Sequence, residues 1–300
     1  MPVVPTSQVI ETGIDRCLDG VMAVGAGVVA YHSEPSPTGS GRSQDAMAVI
    51  PTGVGGALLA VADGMGGLPG GREAAACAIR VLGDAVTRAE VGDSGLRPLI
   101  LDAIEAANHE IIAGGLGSAT TLAVAELGPG FVRPYHVGDS EIMLFGQRGR
   151  LGFQSVPHSP VGFAYHAGLL NESEAISHAD RHLVSNVLGT RDMRVEVGSR
   201  IPMKPSDTLV LCSDGLVDNL QFAEICELLR AGPMDRQFRR LIELTRERMS
   251  RPENDRPGKP DDLTVMVFRT RPGRRLRDRI GKQGPSRDPR RDGPPAPPDP

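Results

Sequence analysis

Apolar residues between positions 20 and 270 follow two patterns, one typical of strands and one typical of helices. Short apolar runs bounded by glycine or polar residues predict β-strands, and apolar residues spaced three to four apart predict helices. The strands are expected at 46–50, 57–62, 119–126, 131–137, 141–145, 194–201, 208–212 and 263–269. The helices are expected at 71–90, 94–113, 221–231 and 235–249, with a short acidic helical stretch at 172–179.

The order of these elements favours an α+β fold. Glycine-rich links between strands are typical of hairpins, and the helices come in consecutive pairs, whereas a parallel sheet would alternate strand and helix one by one. Residues 152–182 lack clear periodicity, so we expect them to form an excursion, or flap, from the main fold. The pattern therefore predicts antiparallel sheets covered by helices.

Composition narrows the class of protein. The chain has 300 residues, 40% hydrophobic content and 3% aromatic content, so Leu, Val, Ile and Ala must fill its core. The net charge of −4 gives no basis for nucleic-acid binding. The four cysteines lack CxxC spacing and are expected to be reduced. Without a secretory leader or an apolar run of eighteen residues, the protein is expected to be cytoplasmic, with no membrane span.

The chain divides by composition into three parts. Residues 1–20 form an N-terminal leader and residues 21–270 the folded domain. Residues 271–300 carry nine Lys or Arg against four Asp, with many prolines, and are expected to be disordered. This basic tail is either a solvated extension or a tether to an acidic partner or membrane surface.

Four aspartates stand at the ends of apolar runs: Asp63, Asp139, Asp214 and Asp261. Carboxylates gathered at one rim of a sheet repel each other unless a cation neutralises them. Oxygen ligands suit Mg²⁺ or Mn²⁺, and His136 is the only histidine near these motifs, so zinc is disfavoured. The sequence therefore predicts a metal site.

In this order of motifs the chain resembles the metal-dependent serine/threonine protein phosphatases of the type 2C (PPM) family. The motifs that carry the resemblance are Ser43-Gln44-Asp45, Asp63-Gly64-Met65-Gly66-Gly67, 117–122, Val137-Gly138-Asp139-Ser140, Ser213-Asp214-Gly215-Leu216-Val217-Asp218 and Asp261-Asp262-Leu263-Thr264. The resemblance implies a four-layer α-β-β-α sandwich of two antiparallel sheets flanked by helix pairs, in agreement with the element order.

The resemblance also implies a catalytic centre with two metal ions. Asp63 resembles the carboxylate that bridges both ions, and Gly64 the residue whose carbonyl binds one of them. Asp214 and Asp261 resemble the remaining carboxylate ligands.

Three further positions surround this predicted centre. Asp45, with Gln44 beside it, resembles the pair that holds metal-bound water. Asp139 matches the ligand of a third ion in bacterial members, and an ordinary turn residue is the open alternative.

Some positions depart from the family pattern. Ser40 stands where many members place a phosphate-binding arginine, and Arg42, two residues later, is the candidate substitute or a solvent-exposed residue. Met65 replaces a histidine that could protonate the leaving group. Pro157 and Glu141 replace the usual aspartate and arginine.

Four histidines share the aperiodic segment: His158, His166, His178 and His182. Their spacing fits no metal site, and they are expected to be surface or cap residues rather than substrate contacts.

The function expected from these features is hydrolysis of phosphoserine and phosphothreonine on protein substrates, by a hydroxide that bridges two Mg²⁺ or Mn²⁺ ions. A pseudophosphatase, which binds a phosphoprotein without turnover, is the alternative that the missing arginine and Met65 motivate. Hydrolysis of a small phosphorylated metabolite also stays open.

Overall fold

A computed structural model describes residues 8–13, 15–39, 41–53, 55–65, 70–88, 95–251 and 258–270. The predicted tail, 271–300, and the first seven residues of the predicted leader lie outside this part of the chain. The described residues form thirteen strands in two antiparallel sheets, together with seven helices.

Each sheet joins strands that are distant in sequence. The first has the spatial order β1 (Val9–Glu11), β4 (Asp45–Thr52), β5 (Gly56–Asp63), β6 (Leu122–Gly128), β7 (Phe131–Val137) and β10 (Glu196–Val197), with β11 (Ile201–Pro202) also paired to β7. The second has the order β2 (Leu18–Val24), β3 (Gly27–Glu34), β13 (Leu263–Thr270), β12 (Thr208–Cys212), β8 (Glu141–Phe145) and β9 (Leu151–Gln154).

Helices cover the outer faces of the two sheets, and the described residues form seven helices in all. They are α1 (Gly71–Arg88), α2 (Arg97–Ala113), α3 (Pro160–His166), α4 (Glu172–Ile176), α5 (Asp214–Val217), α6 (Phe222–Leu229) and α7 (Met234–Ser250). The pair α1 and α2 packs on the first sheet, and α6 and α7 pack on the second. A third apolar cluster fills the space between the sheets. This is the four-layer α+β sandwich that the sequence predicts.

Side-chain alternation along the central strands decides where the acidic residues point. In β5, Leu58 and Ala60 face the helices, whereas Leu59 and Val61 face the opposite sheet. Because side chains alternate between faces, Asp63 continues the series of Leu59 and Val61 into the space between the sheets. A strand buried on both faces reads as one apolar run, so the sequence shows the strand but not which face its final aspartate joins.

Several element boundaries agree with the sequence pattern. The strands expected at 131–137, 141–145 and 208–212 have those bounds in the structure, and the four long helices lie within three residues of their expected ends. The strand expected at 194–201 is wrong, because the chain forms two short strands, β10 and β11, separated by an irregular segment. Both pair with β7, whose Pro134 lies between them and cannot donate a hydrogen bond to a ladder.

The N-terminal strands and part of the aperiodic segment were missed by the pattern. Strands β1 and β2 are only partly buried, so they give no apolar run in the sequence. Strand β3, which is largely buried, was missed as well. Both β1, which pairs with β4, and β2, which pairs with β3, begin before residue 21. The division of the chain into residues 1–20, 21–270 and 271–300 stays a prediction. Residues 152–182 contain α3 as well as the expected acidic helix, α4, which ends at Ile176 rather than at 179.

Two expectations about chemistry and environment can be compared with the described residues. All four cysteines are free, and Cys212 and Cys226 are buried in the core. Among the residues that the structure describes, no helix is long and apolar enough to cross a membrane.

Candidate metal centre

Asp45 and Asp63 lie opposite each other at one end of the first sheet. They are register partners in the antiparallel pair β4 and β5, and both follow the face that looks toward the second sheet. Asp45 is 1% exposed, and its Oδ2 accepts a 2.9 Å hydrogen bond from the Oγ of Ser213, at the end of β12. Its Oδ1 is buried with no hydrogen-bond partner among the described residues. One carboxylate oxygen therefore remains available to a ligand.

The backbone around Asp63 and Gly64 is held by the segment that leads into β6. The Asp63 carbonyl accepts hydrogen bonds from the Thr121 amide and the Thr120 hydroxyl, both at 2.8 Å. The amide of Gly64 donates to the Gln44 carbonyl at 3.2 Å. A Cβ at Gly64 would stand 2.3 Å from the Gly71 carbonyl oxygen, so only glycine allows α1 to approach this closely.

The second sheet contributes Asp214 and Asp261 to the same end of the sandwich. Asp214 is the first residue of α5, directly after β12, and Asp261 lies two residues before β13. The ammonium of Lys259 joins them, with its Nζ 2.7 Å from Asp214 Oδ2 and 2.9 Å from Asp261 Oδ2. The same Nζ is 2.8 Å from Asp218 Oδ2. Three carboxylates from two neighbouring loops therefore share one cation of the protein.

Asp139 completes the set of predicted carboxylates, and its turn is held by His158. The Nδ1 of His158 accepts hydrogen bonds from the Gly138 amide at 3.0 Å and from Asn186 Nδ2 at 2.8 Å. Burial raises the pKa of Asp139 to about 8, and the charges of Asp214 and Asp218 add to this effect. The structure therefore brings Asp139 to the cluster and does not leave it as an isolated turn residue.

Burial and repulsion between like charges together govern the electrostatics of the cluster. Burial, followed by the charges of neighbouring aspartates, raises the pKa of Asp45 and of Asp63 well above the usual range. The pKa of Asp214 and of Asp261 is raised by the same two causes. Burial alone would lower the pKa of Lys259, but the carboxylates around it outweigh burial and raise it.

The residues present fit the divalent ions that the family resemblance implies. Buried carboxylates whose pKa is raised by mutual repulsion gain from a multivalent cation. The free Oδ1 of Asp45 and the all-oxygen donor set suit Mg²⁺ or Mn²⁺. Asp63, Gly64, Asp214 and Asp261 would hold the two ions, with Asp45 beside them.

A second group of potential metal ligands lies near Asp139 but is unsuited to a metal. His136, His158 and Glu196 place three ligand atoms close together. Because Nδ1 of His158 accepts two N–H donors, its Nε2 must carry the proton and donate toward Glu196, 3.3 Å away. The His136 Nε2 is already 3.0 Å from the Val156 carbonyl. This group therefore acts as a hydrogen-bonded support. The expectation that His158 is a surface or cap residue is wrong, since it is buried.

The loop before β4 carries the remaining predicted site residues, Arg42 and Gln44, at the edge of the aspartate cluster. Arg42 is exposed and makes no hydrogen bond or ion pair with a described residue, while Ser40 lies outside the described residues. Asp262 anchors this loop, because its carboxylate accepts the amides of Ser36 and Gln44, each at 2.7 Å. The hydrogen bond from its backbone amide to Asp262 therefore fixes Gln44, the residue directly before Asp45.

A cavity of about 100 Å³ opens beside Asp139 and Asp214. Its walls include Val217 and Tyr165, and Glu141 lies at its base. Glu141 is buried and accepts a hydrogen bond from Gln154, and burial raises its pKa to about 7. Glu141 therefore places an acidic group in this wall, at the position where the resemblance implies an arginine.

Comparison with known proteins identifies the family. The sequence model of the family described as Protein phosphatase 2C matches residues 39–254, which is more than half of the chain. The chain belongs to the protein phosphatase 2C family. This confirms the resemblance seen in the sequence and the enzyme class, a protein serine/threonine phosphatase. It also confirms the sandwich fold expected for a type 2C phosphatase.

Individual relatives agree with this membership. The chain is 32% identical over 185 residues to a serine/threonine phosphatase, stp, of Listeria innocua, covering 58% of this chain and 72% of that protein. The serine/threonine phosphatase of S. agalactiae is 26% identical, with a TM-score of 0.69 over 85% of this chain and 99% of that one. The catalytic domain of the serine/threonine phosphatase PstP, solved in complex with two manganese ions, is 26% identical to this chain. The match has a TM-score of 0.65 and covers 81% of this chain and 98% of the PstP chain.

Sequence reasoning missed the residues that support the predicted ligands. Lys259 and Asp262 flank Asp261 in sequence, and Asp218 closes the motif that begins at Ser213. Spacing within these motifs could have drawn attention to them. That they converge on one ammonium or one loop depends on tertiary contacts alone.

Proposed function

We propose that this type 2C phosphatase hydrolyses phosphoserine and phosphothreonine on protein substrates with two divalent ions, Mg²⁺ or Mn²⁺. The observation that carries the proposal is the convergence of Asp45, Asp63, Asp214 and Asp261 at one end of the inter-sheet space. Bound ions supply an acidified water for attack on phosphorus and neutralise charge on the phosphoryl oxygens. The two manganese ions of PstP support this choice of metal.

The protein's own residues position the reaction. Asp63 and Asp214 lie close enough together that, after burial, the charge of Asp214 helps to raise the pKa of Asp63. Asp45, fixed through Ser213, turns its free Oδ1 into the buried space, where it can orient water. Arg42, on the anchored loop at the rim, can reach toward a phosphate group, and the adjoining cavity offers room for a neighbouring substrate side chain.

Removal of divalent ions tests the proposal directly. Protein stripped with a chelator should release no phosphate from a phosphothreonine peptide, and Mn²⁺ should restore activity. Asp214→Asn should lower this Mn²⁺-dependent rate by about a hundredfold or more, because one ligand carboxylate loses its charge. Asp235→Asn, an exposed acid on α7, is the matched control. Activity without divalent ions, or full activity in Asp214→Asn, would overturn the proposal.

Arg42 has a smaller expected effect. Arg42→Ala should raise the KM for a phosphopeptide roughly tenfold and leave kcat within about threefold, since an arginine at the rim contributes charge-assisted binding of phosphate. Steady-state kinetics with Arg16→Ala, another exposed arginine, as the control would separate this effect from a general change of surface charge. An unchanged KM would remove Arg42 from the phosphate site.

The alternative function, a phosphoprotein-binding module without turnover, makes a different prediction. Met65 carries no proton to give to a leaving group, and this observation favours the alternative. Calorimetry would then report bound Mn²⁺ while phosphate release stayed at background. A third ion at Asp139, a cytoplasmic location and an acidic partner for residues 271–300 stay predictions.

A further inference from the structure

The ammonium of Lys259 occupies the position of a cation within the predicted metal centre. Its Nζ lies 2.7 to 2.9 Å from oxygens of Asp214, Asp218 and Asp261. Two of these residues are predicted ligands of the divalent ions, and the third, Asp218, also lies 3.7 Å from Arg181. The ammonium donates hydrogen bonds to Asp214 and Asp218 and forms an ion pair with Asp261, so three carboxylates surround one positive charge.

The backbone of Lys259 is fixed as firmly as its side chain. The Lys259 amide donates to Asn219 Oδ1 at 2.7 Å, and its carbonyl accepts from Asn219 Nδ2 at 2.9 Å. Asn219 is fully buried and also donates to the Gly215 carbonyl. Pro260 then restricts the backbone between Lys259 and Asp261. Asn219, just after α5, thus fixes the backbone of Lys259 and keeps its side chain beside the aspartates.

The choice of lysine here is itself informative. The chain has 33 lysines and arginines, and only three of them are lysines. A lysine carries a compact point charge, whereas an arginine presents a planar fork suited to bidentate pairs. A point charge enclosed by three carboxylates, two at the ends of α5 and one from the segment before β13, resembles the surroundings of a bound metal ion.

We propose that Lys259 is a tethered cation of the metal centre: its ammonium neutralises Asp214, Asp218 and Asp261 and weakens the binding of divalent ions at Asp214. The inference rests on the proposed metal-dependent function. A positive charge this close to a ligand carboxylate repels a divalent ion and competes for the same oxygen. It also relieves repulsion among the aspartates before any metal binds.

Titration of Mn²⁺ by calorimetry tests the proposal without using activity. Lys259→Gln should bind Mn²⁺ about tenfold more tightly than the wild type, or bind one additional ion, because its neutral side chain frees three carboxylates. Lys259→Arg keeps the charge and should retain the wild-type stoichiometry. Lys204→Gln is the matched control, since Lys204 is exposed and precedes β12, whereas Asp214 follows the opposite end of that strand. The same affinity and stoichiometry in wild type and Lys259→Gln would overturn the proposal.

Thermal denaturation with and without Mn²⁺ gives a second readout, in case the glutamine variant folds poorly. Lys259→Gln should melt at a lower temperature than the wild type without metal and should gain more from Mn²⁺. A glutamine variant that folds only with Mn²⁺, while Lys259→Arg folds without it, supports the tethered cation. Equal melting temperatures of wild type and Lys259→Gln without metal would count against it.

The outcomes separate this inference from the proposed function. If the wild type binds Mn²⁺ and Lys259→Gln binds it identically, the metal centre stands and the role of Lys259 falls. If neither protein binds Mn²⁺, both are overturned. If only Lys259→Gln binds Mn²⁺, the lysine is confirmed as a competing cation, and the metal-dependent function of the wild type is overturned.

Discussion

Asp63→Asn is expected to abolish phosphate release while making the metal-free protein more stable. Burial makes the charge of Asp63 costly, and repulsion by four other carboxylates, those of Asp45, Asp139, Asp214 and Asp261, adds to this cost. Asparagine keeps the shape of the side chain but removes the charge, so repulsion in the metal-free state falls. Loss of a carboxylate that we propose as a metal ligand should lower the rate by about a thousandfold, because metal ions contribute several kcal/mol to such reactions.

The opposite signs of the two effects make this prediction specific. Phosphate release from a phosphothreonine peptide measures activity, and thermal denaturation with and without Mn²⁺ measures stability. The wild type should gain stability from Mn²⁺, whereas Asp63→Asn should gain little. Asp84→Asn, on the exposed surface of α1, is the control, and it should behave as the wild type does. A variant that keeps activity within tenfold would show that Asp63 is not a metal ligand.

Gly215→Ala is expected to cause the largest loss of stability among single methyl additions near the site. A Cβ at Gly215 would lie 2.0 Å from the carbonyl oxygen of Asp262, a backbone atom that cannot move aside alone. Overpacking of this kind costs about 3 kcal/mol in free energy of unfolding. The clash would also push α5 away from the segment before β13, which separates Asp214 from Asp261.

Chemical denaturation and Mn²⁺ titration measure the two consequences of this substitution. Gly53→Ala is the matched control, since a Cβ there meets no atom within 4 Å and should change stability by less than about 0.5 kcal/mol. If Gly215→Ala folds with the stability of the control and binds Mn²⁺ as the wild type does, the close packing of α5 on β13 does not position the centre.

The sequence predicted the central strands better than the peripheral ones. Strands buried on both faces read as apolar runs, so β8 and β12 were placed correctly, and the Gly-Pro-Gly and Gly-Asp-Ser links on either side placed β7. Strands at the edges bury less of their surface and carry mixed residues, so β1 and β2 gave no signal. Between 194 and 201 the residues favour a strand, but the break depends on Pro134 in the partner strand, which no local pattern includes.

The predicted ligands show the same division. Recurrence of aspartate at the ends of apolar runs indicated Asp63, Asp139, Asp214 and Asp261 before any contact was known, and the family resemblance added Asp45. Whether they act as metal ligands stays a prediction until metal is bound and measured. The structure adds their burial and mutual repulsion, which together raise the pKa of Asp63.

The sequence by itself determined the fold class, the family and the type of donor at the site, because hydrophobic periodicity and the spacing of short motifs are local properties of the chain. Tertiary structure alone decided which charges meet. Asp262 anchors the loop of Gln44 over a separation of 218 residues, and Lys259 joins Asp214 across 45. Such pairs depend on the pairing register of the strands within each sheet and on the residue at which each strand ends. No short stretch of sequence contains both partners of such a pair. Only the folded chain therefore brings Lys259 into the metal centre that Asp63, Asp214 and Asp261 are predicted to form.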